Sequence, residues 1–205
     1  MRRREFIAGL GSAAAWPVVA RAQQAAVPVI GFLGSQSADD YKSTYVPFAQ
    51  SLKETGYIEG QNVAFEHRYA ENQMDRLPAL AADLVRRRVA VIVSGGTAAA
   101  LAAKAATTTI PIVFIIGSDP VALGLVASLN RPGANITGHA ELSAELAPKR
   151  LQLVHELIPD AALFGFLADP ASPSAPSVIA GLQAAARTLG LRTAPHSLEI
   201  IKSKS

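Results

Sequence analysis

Three short segments of the chain combine hydroxyl side chains with exposed backbone N–H groups. They are Gly34-Ser35-Gln36-Ser37, Ser94-Gly95-Gly96-Thr97 and Gly117-Ser118-Asp119-Pro120. Such groups suit a carboxylate or another small polar ligand, above all where a loop leads into the positive end of a helix. Each segment alone also fits an ordinary turn or cap, because Ser, Gly, Thr and Asp favour both. The recurrence of one composition in three loops favours a pocket. The candidate ligand-binding residues are therefore Ser35, Gln36, Ser37, Ser94, Gly95, Gly96, Thr97, Gly117, Ser118 and Asp119.

Patterns of enzyme chemistry are missing from the sequence. There is no GxSxG nucleophile elbow, no phosphate-binding loop with Gly-Lys-Ser or Gly-Lys-Thr, and no strand followed by GxGxxG. The chain contains no Cys and only 4 His, and these stand apart, whereas a metal site needs three or four converging ligands. We therefore expect no catalytic residue, no metal and no cofactor, and Asp119 fits a helix N-cap better than an acid catalyst.

The three segments belong to an alternation of short apolar runs and longer helical patterns, which is typical of an α/β fold with a parallel sheet. The predicted strands are Val27 to Leu33, Asn62 to Tyr69 at an edge, Val89 to Val93 and Pro111 to Ile116. The predicted helices are Tyr41 to Thr55, a segment around Leu77 to Val85, Ala98 to Ala106 with Thr97 as its cap, and Val121 to Leu129. A doubly wound sheet of this kind binds ligands at the carboxyl ends of its strands, where the three segments lie.

A change of organisation is predicted near position 137. Ile136 to Gly138 is predicted as a short strand that leaves the first sheet. The expected elements after it are a helix around Glu145 to Ile158, a strand from Leu163 to Ala168 and a helix from Ser177 to Leu189 capped by Gly190. We therefore expect a first αβα lobe over residues 25–137 and a partial second αβα lobe over residues 138–205.

Residues 1–22 have the three-part build of an export signal: a basic start, an apolar run and the small-residue site Ala20-Arg21-Ala22. The pair Arg3-Arg4 followed by Glu5-Phe6-Ile7 is typical of a bacterial twin-arginine leader. The leader holds four of the 19 basic residues and one of the 16 acidic residues, so 15 of each remain and their net charge is zero. A nucleic-acid partner is therefore not indicated, and no later apolar stretch is long enough to span a membrane.

Several motifs in a fixed order resemble one family. They include Leu52-Lys53-Glu54-Thr55-Gly56-Tyr57, Thr109-Ile110-Pro111-Ile112-Val113-Phe114, Gly124-Leu125-Val126-Ala127-Ser128-Leu129 and Asn135-Ile136-Thr137-Gly138. Together with the leader, they resemble the ABC transporter substrate-binding proteins that include tryptophan- and phenylalanine-binding members. The resemblance implies a type I periplasmic binding fold, in which two lobes close on an amino acid or a similar small carboxylate. It also implies a periplasmic location and a permease of the inner membrane as partner, and it places the ligand loops of the first lobe on the three segments above.

Two features depart from the family pattern. His139-Ala140-Glu141 stands where amino-acid binders of this kind carry a run such as Thr-Ser-Asp, so Glu141 is the candidate contact for a ligand amine. The resemblance also implies that the second lobe is incomplete within these 205 residues, and weak binding by this chain alone is expected. Two other function classes stay open: an exported doubly wound enzyme, such as a hydrolase or an oxidoreductase, and a ligand-sensing lobe that regulates a partner.

Overall fold

The computed structural model of the chain describes residues 27–161, 163–170 and 172–197. The predicted signal peptide and the last eight residues lie outside this part. The strands are β1 (Val29–Gly34), β2 (Ala64–Tyr69), β3 (Val91–Gly95), β4 (Ile112–Ile116), β5 (Ile136–Ala140), β6 (Leu163–Ala168) and β7 (Arg192–Ser197). The helices are α1 (Lys42–Glu54), α2 (Leu77–Arg86), α3 (Thr97–Ala106), α4 (Ala147–Leu157) and α5 (Ala175–Leu189). Short 3-10 helices precede α2 at Met74–Arg76 and α4 at Ser143–Leu146.

Five strands form one parallel sheet in the order β2-β1-β3-β4-β5. In the interior strand β1, the neighbouring residues Phe32 and Leu33 are 2% and 0% exposed, although their side chains point to opposite faces. Both faces of this strand are therefore covered, as its continuous apolar run predicts. Strand β2 lies at the edge with all six residues half-buried, which confirms the prediction of an edge strand.

Two separate apolar clusters lie on the two faces of the sheet. One joins β1, β3 and β4 to α2 and α3, through residues that include Leu33, Ile92, Ile112, Leu84 and Ala100. The other joins β1, β2 and β3 to α1, through residues that include Ile30, Phe32, Val93, Phe65 and Phe48. Helices thus cover both faces, which confirms the doubly wound α/β architecture expected from the sequence.

Strand β5 corrects one expectation. It remains in the first sheet, paired in parallel with β4 from Ile136 opposite Ile112 to Ala140 opposite Ile116. Burial of Ile136, which is 3% exposed, holds the start of this strand in the first core. Gly138 permits the close pairing that follows, because a Cβ atom there would lie 2.1 Å from the carbonyl oxygen of Phe114. The expected division between residues 137 and 138 therefore falls inside a strand of the first sheet.

The predicted helix from Val121 to Leu129 is wrong, since this segment forms a series of turns. Gly124 has a φ of 65° and so leaves the helical conformation after a single turn. The N–H groups of Leu125 and Val126 both donate to the carbonyl of Pro120, which folds the chain back. This turn buries Leu125 under the sheet at 1% exposure, and that burial outweighs the local helix signals at Asp119 and Pro120.

A smaller unit follows β5. Strands β6 and β7 pair in parallel, and α4 and α5 pack against β6 through a cluster centred on Leu151, Leu182 and Ala186. Helix α5 ends at Leu189, and the next residue, Gly190, is the predicted cap, with a left-handed φ of 69°. In β6, Leu163 and Leu167 are 58% and 65% exposed, so one face of this strand is uncovered in the described part of the chain. None of the helices in the described part of the chain could span a membrane.

Candidate functional site

The three predicted ligand loops leave the same edge of the sheet. Strands β1, β3 and β4 are neighbours in parallel, and their registers place Gly34 opposite Gly95 and Gly95 opposite Ile115. The loops that begin at Ser35, Gly96 and Gly117 therefore lie side by side at the carboxyl ends of the strands. This is the position at which open parallel sheets bind ligands.

A cleft of about 150 Å³ opens at this edge between the five-stranded unit and the smaller unit. On the side of the first sheet it is lined by Ser35, Gln36, Tyr41, Met74, Gly96, Thr97 and Ala98. On the other side it is lined by Asp169, Ser172 and Pro173, from the loop between β6 and α5. Asp169 is the charged member of this lining, and no Lys, Arg or His belongs to it among the described residues. The cleft therefore combines hydroxyl groups, backbone N–H groups and one carboxylate.

Helix α3 directs its N-terminus at the cleft. Gly96, with a φ of 92° and a ψ of 153°, occupies the cap position that was predicted for Thr97, and the helix starts one residue earlier than expected. Within the described residues, the N–H groups of Thr97 and Ala98 have no acceptor in the protein. Two unpaired donors at the positive end of a helix favour an anionic group beside them.

Ser35 connects the first loop to this helix. Its Oγ accepts a hydrogen bond from the Ala99 N–H at 3.2 Å and donates to the Gly95 carbonyl at 3.3 Å. A side chain from the β1 loop thus performs the capping that local sequence assigned to Thr97. Since Ser35 is only 6% exposed, its hydroxyl contributes mainly to the wall of the cleft and to the geometry of α3.

Tyr41 is a cleft residue that sequence reasoning missed. Its hydroxyl donates to the Gly95 carbonyl at 2.6 Å and accepts from the Ser35 N–H at 3.1 Å. Burial raises the pKa of the Tyr41 phenol, so the hydroxyl keeps its proton and remains a donor at neutral pH. The ring covers the ends of β1 and β3, where a Cβ on Gly34 or Gly95 would lie 2.5 Å from it. Glycine at both strand ends was the available signal, although it does not identify the side chain that needs the space.

The other predicted residues lie beside the cleft or beneath it. Ser37 binds the Asp40 carboxylate through its Oγ at 2.6 Å and its N–H at 3.0 Å, and these hydrogen bonds lower the pKa of Asp40. Ser94 is fully buried on the face covered by α2 and α3, and its Oγ has no hydrogen-bond partner in the described structure. Of the ten candidates, those that line the cleft are Ser35, Gln36, Gly96 and Thr97.

The third loop, which begins at Gly117, contacts the second loop, which begins at Gly96. The Ser118 Oγ lies 3.4 Å from the Thr97 Oγ1, and Gly117 accepts a hydrogen bond from the Ser143 Oγ at 3.1 Å. The Asp119 Oδ1 accepts from the N–H groups of Val121 at 2.8 Å and Ala122 at 3.3 Å. Asp119 therefore stabilises the turn that replaces the predicted helix, in the capping role expected of its side chain.

Sequence analysis also missed the residues of the smaller unit that line the cleft. Asp169, Ser172 and Pro173 line the cleft, but they lie in a Pro- and Ser-rich loop whose sequence indicates no particular function. Glu141, the candidate amine contact, is exposed and is not among the residues that line the cleft.

No group of three or more His, Cys, Asp or Glu side chains that could hold a metal ion occurs in the described part of the chain.

Comparison with protein-family profiles matches residues 26–203 to the family described as ABC transporter substrate binding protein. The chain belongs to this family. Among curated proteins, it is 32% identical over 121 residues to the tyrosine-binding protein of Clostridioides difficile, an alignment that covers 58% of this chain and 34% of that relative.

Solved structures are similar to the chain in fold. A conserved domain protein from Vibrio cholerae matches with a TM-score of 0.76 and 28% identity over 84% of this chain and 57% of that one. An ABC domain in complex with L-Trp from Streptococcus pneumonia matches with a TM-score of 0.72 over 83% and 57% of the two chains, and its 23% identity supports the fold alone. The chain thus spans little more than half the length of these two solved chains. The predicted fold class, a lobe of the type I periplasmic-binding-protein kind followed by part of a second, is confirmed.

Proposed function

We propose that this chain is the solute-binding component of an ABC-type importer and that its ligand is an α-amino acid. One observation carries the proposal: the cleft joins the unpaired N–H groups of Thr97 and Ala98 on one wall to the carboxylate of Asp169 on the other. The positive end of α3 suits the ligand carboxylate. Asp169 supplies the opposite charge for the ligand ammonium group.

The charges of the lining favour an amino acid over a simple carboxylic acid. An anion without an amine would gain the contact with α3 but would also meet the carboxylate of Asp169. A zwitterion places its carboxylate beside α3 and its ammonium group beside Asp169. The ligands named for similar proteins, tyrosine and L-Trp, support the same class.

The location and the partner form part of this proposal. A family member of this kind delivers its ligand to a permease of the inner membrane, and the leader over residues 1–22 directs the chain to the periplasm. The ligand contacts that we propose are the N–H groups of Thr97 and Ala98 for the carboxylate and Asp169 for the amine. Asp169 takes the role that the sequence analysis gave to Glu141.

A pair of ligands and a pair of variants test the amine contact. We expect L-leucine and L-tyrosine to bind, and 4-methylpentanoate, which is leucine without its amine, to bind at least about 10-fold more weakly, as for a lost charge-assisted hydrogen bond. Asp169→Asn is expected to weaken L-leucine binding by a similar factor and to leave 4-methylpentanoate unaffected or slightly improved. Titrations followed by amide NMR shifts measure this difference even where binding is weak.

Glu141→Gln is the matched control, because it removes a carboxylate that lies outside the cleft. Its affinity for L-leucine should equal that of the unchanged protein. Equal binding of leucine and its deaminated analogue would contradict the proposed ligand class. Loss of binding in Glu141→Gln but not in Asp169→Asn would instead restore the contact inferred from the sequence.

A further inference from the structure

The Gly95 carbonyl is the acceptor on which the first two ligand loops converge. It receives the Tyr41 hydroxyl at 2.6 Å and the Ser35 Oγ at 3.3 Å. It also receives the Ser35 N–H at 3.2 Å, a hydrogen that it shares with the Tyr41 oxygen. A carbonyl oxygen has two lone pairs, so three donors at one oxygen are unusual. The shortest of these three hydrogen bonds comes from Tyr41, whose side chain is 8% exposed and has no other acceptor for its proton among the described residues.

The peptide group that carries this carbonyl also determines the direction of α3. Its N–H belongs to Gly96 and donates to the Ile115 carbonyl at 3.0 Å, so both polar groups of the Gly95–Gly96 peptide are fixed. Gly96 then turns the chain with a φ of 92°, and a Cβ at this position would lie 2.8 Å from the Ser35 Oγ. A rotation of this peptide would redirect the N–H groups of Thr97 and Ala98, which follow it directly.

The Tyr41 ring is itself held on two sides. It contacts Phe32 edge-on, with ring centroids 5.3 Å apart, and stacks on Tyr69 at 6.0 Å. The ends of β1 and β3 lie beneath it, and glycine at Gly34 and Gly95 leaves the room that the ring occupies. Because the ring has little freedom to move, its hydroxyl can hold the peptide in one orientation.

We propose that Tyr41 is a positioning residue for ligand binding: its hydroxyl fixes the Gly95–Gly96 peptide so that the Thr97 and Ala98 N–H groups face the cleft. This inference rests on the proposed function, since those two N–H groups are the donors assigned there to the ligand carboxylate. Tyr41 acts through the peptide and does not need to touch the ligand. Removal of the hydroxyl should therefore weaken binding without changing which ligand is preferred.

The test compares Tyr41→Phe with Tyr45→Phe. Both variants remove one phenolic oxygen from an aromatic ring that contacts Phe32, but Tyr45 lies outside the cleft. We expect Tyr41→Phe to raise the dissociation constant for L-leucine about 3- to 10-fold, as for one lost hydrogen bond, and Tyr45→Phe to leave it unchanged. Titrations are run at a temperature at which both variants are fully folded, so that a difference in stability does not enter the comparison.

A second measurement needs no ligand. The Gly96 amide is hydrogen-bonded to Ile115, and its hydrogen exchange reports how firmly the peptide is held. In the unliganded protein, Tyr41→Phe should accelerate Gly96 exchange about 3- to 10-fold, whereas Tyr45→Phe should not. A spectrum with native-like shifts outside the two loops shows that the variant is folded.

The outcomes separate this inference from the function on which it rests. If L-leucine binds and Tyr41→Phe binds it as tightly as the unchanged protein, the positioning role is wrong, whatever happens to thermal stability. If no amino acid binds the unchanged protein, the proposed function fails. In that case faster Gly96 exchange in Tyr41→Phe still supports the fixing of the peptide, and unchanged exchange overturns it.

Discussion

At the scale of single residues, aromatic side chains hold the cleft edge of the first sheet together. On β2, His67 stacks between Phe65 and Tyr69 with ring centroids 5.8 Å from each, and the Tyr45 ring on α1 meets it edge-on at 4.8 Å. The Tyr69 hydroxyl lies 3.2 Å from the His67 Nδ1. Tyr69 in turn stacks on Tyr41, so this cluster reaches from the sheet edge to the predicted ligand loops.

The imidazole of His67 gives a prediction on acid stability. Burial lowers its pKa, with smaller opposing effects from Glu59 and Glu66 and a reinforcing effect from Arg68. The unfolded chain therefore takes up a proton first as the pH falls below about 6.5. The stability of the folded state is therefore unaffected by protonation of His67 above that pH, and it falls progressively below that pH.

We expect His67→Phe, which keeps an aromatic ring in the stack, to flatten the pH dependence of the free energy of unfolding between about pH 7 and pH 5. Urea unfolding at several pH values measures this slope. His139→Gln is the control, because His139 is exposed on β5. An identical slope in His67→Phe and the unchanged protein would contradict the prediction.

At the scale of elements, an ion-pair network joins the edge strand β2 to α2. The Asp83 carboxylate on α2 accepts from the Arg68 guanidinium on β2 at 2.7 and 2.9 Å, and Arg86 and Arg87 reach the same carboxylate at 2.9 and 3.1 Å. The hydrogen bonds from Arg68 are the main reason that the pKa of Asp83 falls to about 2. The network therefore fixes the edge strand to the helix that covers it.

Asp83→Asn should lower the free energy of unfolding at neutral pH and reduce the acid sensitivity of the protein. Because the pKa of Asp83 is depressed in the folded state, its contribution is complete above about pH 4 and disappears as the pH falls toward about 2. Denaturant unfolding at pH 7 and near pH 3 checks both parts. Asp39→Asn is the matched control, since its ion pair with Lys42 is 82% and 74% exposed and such pairs contribute little. Equal effects of the two substitutions would refute the role of the network.

The elements also show which features of the fold follow from local sequence. Interior strands such as Val29–Gly34 are predictable, because a short continuous apolar run bounded by polar loops is typical of a strand covered on both faces. The segment after Asp119 is not, because its local helix signals compete with Gly124 and with burial of Leu125 in a distant core. Local patterns describe what a segment prefers, whereas tertiary packing decides between near-equal preferences.

The cleft was predictable only in part for a related reason. Ser35, Gln36, Gly96 and Thr97 directly follow strands, so the topology of a parallel sheet is enough to bring them together. Tyr41 reaches the same edge from the turn before α1, and Asp169 reaches it from the smaller unit. No spacing rule links those positions to the sheet, because their approach depends on how helices and units pack.

At the scale of the whole molecule, charge is distributed very unevenly along the chain. Residues 1–22 carry four basic side chains and one acidic side chain, while residues 23–205 carry 15 of each. Removal of the predicted leader therefore changes the formal net charge from +3 to zero. The remaining protein interacts with its surroundings through local groups, such as those of the cleft, rather than through an overall field.

Export gives the prediction that belongs to this scale. In a bacterial host with a twin-arginine pathway, the mature protein should appear in the periplasm with an N-terminus near Gln23. Replacement of the pair by Lys, Arg3→Lys with Arg4→Lys, should retain it in the cytoplasm, whereas Arg2→Lys, outside the pair, should not. Cell fractionation with N-terminal sequencing measures both effects. An uncleaved chain in the cytoplasm of the unchanged strain would contradict the prediction.

The two walls of the cleft come from parts of the chain more than 130 residues apart, with Gln36 on one wall and Ser172 on the other. The protein contains no Cys, so thiols introduced at these two positions would be unique in the molecule. A donor and an acceptor dye attached there would convert a change in their separation into a change in energy transfer. The same scaffold thus offers a route to an optical sensor for the proposed ligand, without prior removal of native thiols.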